Sequence, residues 1–231
     1  MTSFATRAAI AFAAMAALCA ARPAAAQNQV YDPLPPAGSA YVRFVNATGA
    51  ELALSPDFLG AQKLGTDGAK RVSAYMVVEK IAGRALTLDA QAGSQKAHAV
   101  LKAEPGSYLT VIVREDKSGA IGIAPVVDQA DFNQSRVRLS FYNATADCAD
   151  GALTLEPNGA AVFKDVAPES GKSRTVNPVT AQVKAACASL AAEPVALEGL
   201  EAGAMYSVWL MAPGGKPVAF RSTDTTARYK P

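Results

Sequence analysis

VRFVNATGAELAL, residues 42–54, returns in altered form as VRLSFYNATADCADGALTL at 137–155. Each stretch alternates apolar and polar residues, breaks at an Asn-Ala-Thr triplet, and resumes with a Leu-x-Leu pair. A second phrase repeats behind each: EPGSYLTVIV at 104–113 and EAGAMYSVWL at 201–210. Asn46 and Asn143 are 97 residues apart, and so are Gly106 and Gly203. Two distant phrases recurring at one offset indicate a duplicated unit rather than chance matches. Within each unit the apolar runs are short, alternate with period two, and are cut by Gly, Pro and Asn. That pattern predicts strands joined by turns. The expected fold is all-β, two tandem β-sandwich-like domains produced by internal duplication.

Working outward from AYVRFV at 40–45, the alternation places Val42 and Phe44 on one face. Residues 46–49 read as a turn, since Asn and Gly tolerate the backbone angles that larger residues resist. Further strands are expected at 52–54, 72–78, 85–88, 98–101, 108–113 and 121–127. The second unit repeats the set through Val137, Leu139 and Phe141, then Leu153 and Leu155, then 161–163, 205–211 and 218–220. One stretch departs from this. TAQVKAACASLAA at 180–192 is Ala-rich, with Thr180 placed to cap and Val183, Cys187 and Leu190 spaced by four and three. It predicts a short helical insert confined to the second unit.

The chain of 231 residues opens as an export signal, with Arg7 before an apolar run at 8–21 and small residues at 24–26. Cleavage is expected after Ala26. The run is short for a membrane span and is ended by Arg22 and Pro23. Leu18 and Ala16 do not suit lipidation of Cys19. Removing 1–26 leaves 205 residues and takes away Arg7 and Arg22, so 22 basic and 20 acidic residues become 20 of each. A neutral mature chain has no bulk field for capturing nucleic acid or another polyanion. The expected layout is a signal peptide at 1–26, a proline-rich arm at 27–39 and a first domain at 40–127. A linker at 128–135, a second domain at 136–222 and a polar tail at 223–231 follow.

Of the three cysteines, Cys148 and Cys187 survive cleavage. An isolated pair in an exported chain is most simply a disulfide, worth nominally ~3–4 kcal/mol for a loop of this length. A redox pair or metal ligands would be expected at C-x-x-C spacing, which is missing.

The residues offer little for catalysis. His98 is the single histidine and sits in an alternating strand, so a zinc site has no ligand cluster to draw on. Asp128 and Asp131 lack the spacing of a calcium loop. Ser39 and Ser107 lie in Gly-Ser dipeptides outside any G-x-S-x-G elbow and read as turn residues entering strands. No catalytic, cofactor or metal site is expected, although carboxylate pairs distant in sequence would leave no signature. Asn46 and Asn143 match the N-glycosylation sequon, yet a shared turn accounts for both. Tyr108, Tyr206 and Trp209 read as core. Tyr31, Tyr41 and Arg43 are the candidate contacts for a partner or glycan, with Tyr31 in the arm the leading one.

The opening YDPLPPAGSAYVRFVN, residues 31–46, resembles that of the mature F component of bacterial alginate O-acetylation systems, the AlgF family. The likeness continues through PGSY at 105–108 and the second unit. It implies a periplasmic accessory protein working beside a membrane acyltransferase and SGNH-like acetyltransferases, as adaptor or acetyl relay, without a catalytic triad or cofactor of its own. Where the family opens on a Tyr-Gly-Pro-like phrase, this chain has Tyr31-Asp32-Pro33. Related accessory proteins serve cellulose acetylation, so the resemblance specifies export and accessory role more closely than the polymer. A polysaccharide-binding module and a noncatalytic envelope structural protein are the alternatives.

Overall fold

The protein is described from a computed structural model, which covers residues 34–129 and 133–230. The expected signal segment, Tyr31 and the rest of the expected arm up to residue 33, and residues 130–132 of the expected linker lie outside the described residues.

Sixteen strands make up the described residues, with two 3-10 turns at Gly68–Arg71 and Pro213–Gly215. The first eight are β1 (Ala40–Ala47), β2 (Leu52–Pro56), β3 (Gln62–Leu64), β4 (Met76–Val78), β5 (Leu86–Ala92), β6 (Gln95–Leu101), β7 (Tyr108–Glu115) and β8 (Ile121–Asp128). The second eight are β9 (Val137–Asn143), β10 (Gly151–Glu156), β11 (Ala161–Val166), β12 (Ser170–Val176), β13 (Ala181–Ala186), β14 (Val195–Leu197), β15 (Met205–Met211) and β16 (Val218–Thr223). They form four four-stranded sheets in the orders β4-β1-β7-β8, β3-β2-β5-β6, β12-β9-β15-β16 and β11-β10-β13-β14. Adding eight to each strand number of the first two sheets reproduces the last two. The duplication read from two phrases therefore extends to every strand.

In each unit the two sheets pack face to face. Val42, Phe44, Leu109, Val111 and Val113 meet Leu52, Leu54, Leu86 and Leu88 in the first core. Val137, Leu139, Phe141, Val208 and Leu210 meet Leu153, Val183 and Leu197 in the second. The central strands also bury their other face. Val45, Ala47 and Ile112 of the first unit join Tyr142, Ala144, Trp209 and Met211 of the second in a third core. The result is a stack of four sheets, with the two central ones pressed together, and the described residues form one compact unit. Strands buried on both faces read as near-continuous apolar runs. YLTVIV and SVWLM are such runs, and β1 pairs with β7, and β9 with β15, in parallel.

The helix expected within 180–192 is absent. Residues 181–186 are β13, hydrogen-bonded to β10 on one side and β14 on the other, with Val183 and Ala185 buried on alternate positions. Alanine favours helix by propensity, but pairing on both edges and burial of an alternating face override it. β13 is also the counterpart of β5, so the stretch is part of the repeat rather than an elaboration of the second unit. Cys187 follows it directly and is joined to Cys148 across 39 residues, with the Cα atoms 5.8 Å apart. Trp209 is core, but it belongs to the seam between units rather than to either sandwich.

Candidate functional site

The seam between the units holds a buried polar cluster, and the strand period explains how it arises. In β1 the even-numbered Val42 and Phe44 face the first core, so Arg43 must face the second unit. In β7 the same alternation turns Thr110 toward the seam, and in β15 it turns Ser207 there. Thr110 and Ser207 are 97 residues apart, and in register with Arg43 and Ser140 respectively. The offset of the repeat thus maps Arg43 onto Ser140. The two copies place a large cation and a small hydroxyl at equivalent points, and this asymmetry lets them fit together.

Arg43 is 1% exposed. Its guanidinium donates to Thr110 Oγ1 at 2.8 Å, Tyr142 Oη at 2.9 Å and Asp224 Oδ1 at 2.7 Å. It also lies over the rings of Tyr75 and Trp209, at 4.4 and 5.0 Å from their centroids. Ser207 donates to Asp224. Asp128 accepts from three hydroxyls, those of Tyr75 at 2.8 Å, Thr110 at 2.6 Å and Tyr142 at 2.6 Å. Asp128 pairs across from Tyr108 on β7, and Asp224 is bonded to Met205 at the corresponding point of β15. The two carboxylates are therefore repeat equivalents that converge on one arginine.

Burial alone disfavours the charge on Arg43. The neighbouring Tyr142, Asp224, Tyr75 and Asp128 outweigh it and hold the guanidinium pKa above its ordinary value. Burial also raises the Tyr75 and Tyr142 phenols, against the opposing pull of Arg43. The cluster is one guanidinium and two carboxylates dressed by hydroxyl groups. A cavity of about 10 Å³ touches it, no larger than one water molecule. Ser207 is fully buried and bound to a carboxylate, so its hydroxyl is not presented to a substrate.

Several expected site residues therefore move. Arg43 is a structural cation inside the protein, since a side chain this buried has no surface to offer a partner. Tyr41 is half-buried and stacked on Tyr108 at 4.4 Å, beside the mouth of the cluster. Tyr31 lies outside the described residues. Asp128, first residue of the expected linker, ends β8 and belongs to the cluster. Of the stretch 223–231, read as a tail, the described residues supply Asp224 and then run along the first unit. There Thr225 O and Ala227 N bond Tyr75, and Tyr229 Oη donates to Glu79 at 2.5 Å. His98 lies on the exposed face of β6 against Asp89. Among the described residues no group of three or more His, Cys, Asp or Glu side chains is placed to hold a metal ion.

Both Asn-Ala-Thr triplets are turn clamps. Asn46 is fully buried and donates to Ala50 O and Gly65 O, while its own oxygen accepts from Thr48. Asn143 repeats this with Cys148 O, Val166 O and Thr145. Neither amide is available to a glycosyl donor in the folded chain.

At the other end of the seam, where β1, β7, β9 and β15 finish, a groove of about 540 Å³ opens between the units. The hairpin joining β7 to β8 forms one wall, and the loops after β9 and β15 form the other. Glu115 ties the walls together by accepting from Gly49 N and Gly214 N, both at 2.8 Å. Lys117 and Asp147 pair across the mouth at 2.6 Å. Sequence reasoning missed this groove because its residues are ordinary loop residues, brought together only by the packing of the two units.

No family model matches the sequence, and no curated protein matches it.

Proposed function

We propose that the mature chain is a periplasmic accessory protein for O-acetylation of an exported polysaccharide, alginate first, linking a membrane acyl-transfer component to SGNH-like acetyltransferases. The observation that carries this reading is the stretch at 31–46, with its resemblance to the F component of alginate acetylation. The geometry supports an accessory role in two ways. The hydroxyls and carboxylates of the buried cluster are engaged with one another, and the seam joins both units into a single body. A rigid body carrying two partners raises the local concentration of each for the other without performing the chemical step.

Two measurements test the proposal. In a polymer-producing cell lacking the chain, polymer should still be made but emerge unacetylated, and the periplasmic chain should capture the acetyltransferases. Robust acetyl transfer by the isolated chain would sink the noncatalytic part. A second reading, glycan binding, is favoured by the stacked and partly exposed Tyr41–Tyr108 pair, because sugar rings pack on such faces. Saturable calorimetric binding of alginate fragments with no partner capture would support it instead.

A further inference from the structure

We infer that the groove between the two units binds an extended cationic segment of a protein partner. Its volume of about 540 Å³ falls within the roughly 300–1,000 Å³ typical of ligand sites. It exists only in the paired protein, since Glu115, Asp116 and Lys117 come from the first unit and Thr145, Asp147 and Leu190 from the second. The charges on its lining are unbalanced: Glu115, Asp116 and Asp147 face one lysine, Lys117.

The local bonding preserves part of this imbalance. Glu115 is held by two backbone N–H groups and is partly offset by the nearby Arg71 guanidinium, so the excess negative charge falls mainly on Asp116 and Asp147. Asp116 accepts from the hydroxyl and amide of Ser118 and from Ala120 N, and the Ser118 hydroxyl first among these holds its carboxyl below the ordinary value. It stays ionised at neutral pH. Lys117 and Asp147 are both substantially exposed, with side chains 85% and 48% accessible. An exposed pair of this kind is weak, so an incoming cation can displace Lys117 from Asp147 at little cost.

The lining discriminates among ligand classes. Among the described residues no aromatic ring lines the groove, so the usual platform for a sugar is missing there, and a polyuronate would meet the Asp116 and Asp147 carboxylates. The remaining surface is Gly, Ala, Ser and Thr with one Leu, which leaves backbone groups within reach of a ligand. An extended peptide matches that surface, and lysine or arginine side chains match the carboxylates. The inference deepens the accessory reading by naming the chemistry of one partner, and rests on that reading only for the partner's biological role.

The test is a titration of the isotope-labelled mature chain, followed through its backbone amides. The probes are acetyl-Gly-Arg-Gly-Lys-Gly-amide, its counterpart with Glu at both charged positions, and a mannuronate trisaccharide. The cationic peptide should shift Gly119, Thr145 and Gly214 selectively. Asp116→Asn with Asp147→Asn should weaken it about fivefold, the scale of two partly exposed ion pairs. Both substitutions are on exposed loops, and an otherwise unchanged spectrum confirms the fold. The inference fails if the cationic peptide leaves these amides unmoved, if its shifts scatter over the surface, or if the trisaccharide moves them equally. Failure here with acetylation still dependent on the chain removes the groove and leaves the accessory role. Selective binding with acetylation indifferent to the chain does the reverse.

Discussion

Replacing Arg43 by Met tests whether the seam cluster holds the two units together. Methionine keeps most of the length and apolar stem but leaves Asp224, whose side chain is 6% exposed, without its cation. Removing one partner of a buried ion pair costs about 3–5 kcal/mol, chiefly through the charge left behind. Ser207 still donates to Asp224, which places the expected loss near the lower end, about 3 kcal/mol. The hydroxyls of Thr110 and Tyr142 lose a donor but keep Asp128 as acceptor, so they add little. Trp209 is the single tryptophan and lies 5.0 Å from the guanidinium, so its fluorescence reports on the seam. With a urea dependence of about 2–3 kcal/mol per molar, the midpoint should fall by about 1 M. Adding Asp224→Asn removes the stranded charge and should restore part of the loss, giving a favourable coupling in a double-mutant cycle. A single-variant loss below about 1 kcal/mol, or two effects that simply add, would refute the argument that a buried pair and its stranded charge govern this seam.

Three further outcomes follow from the same geometry. Tyr75 and Tyr142 have raised folded-state values, so their neutral forms contribute stability that is complete below the unfolded value near 10 and is lost as pH rises above it. Unfolding free energy should therefore fall above pH 10 by up to about 1.4 kcal/mol per pH unit for each phenol, and less in Tyr75→Phe; a slope unchanged by that substitution counts against the assignment. Gly171→Ala sets a Cβ 2.6 Å from two Tyr142 ring carbons. It should cost about 1–3 kcal/mol and alter the near-ultraviolet circular dichroism of the Tyr142–Trp209 stack, whereas a neutral result would mean the ring moves freely. Replacing Cys148 and Cys187 by alanine opens a link spanning 39 residues, and calorimetry should show a loss of up to ~3–4 kcal/mol; no change in melting would show that the link contributes nothing.

The resemblance at 31–46 and the groove at the far end of the seam bear on different parts of the functional question. The first concerns the process the chain serves, and the second the chemistry of what it holds. The groove depends on the buried cluster only indirectly, because the cluster helps make one body from two units and contributes no residue to the groove's lining. The distinction guides experiment, because substitutions in the cluster will disturb activity through the fold, while substitutions at Asp116 or Asp147 will not.

The duplication, the all-β class and the role of the Asn-Ala-Thr turns were legible in the chain itself, because strand alternation and turn chemistry are local and the repeat printed each signal twice. The Ala-rich stretch at 181–186 misled for the same reason: local propensity pointed to helix, while the hydrogen bonds that make it a strand come from β10 and β14, distant in sequence. The roles of Arg43, Asp128 and Asp224 could not be read at all. A strand with an arginine between two apolar neighbours ordinarily turns that arginine to water, and only the packing of one unit on the other gives it a buried face. Charge neutralisation across 181 residues, as between Arg43 and Asp224, leaves no period or spacing to detect. Local order was set by the sequence; which faces became interior, and where the groove opened, was decided when two similar sandwiches met.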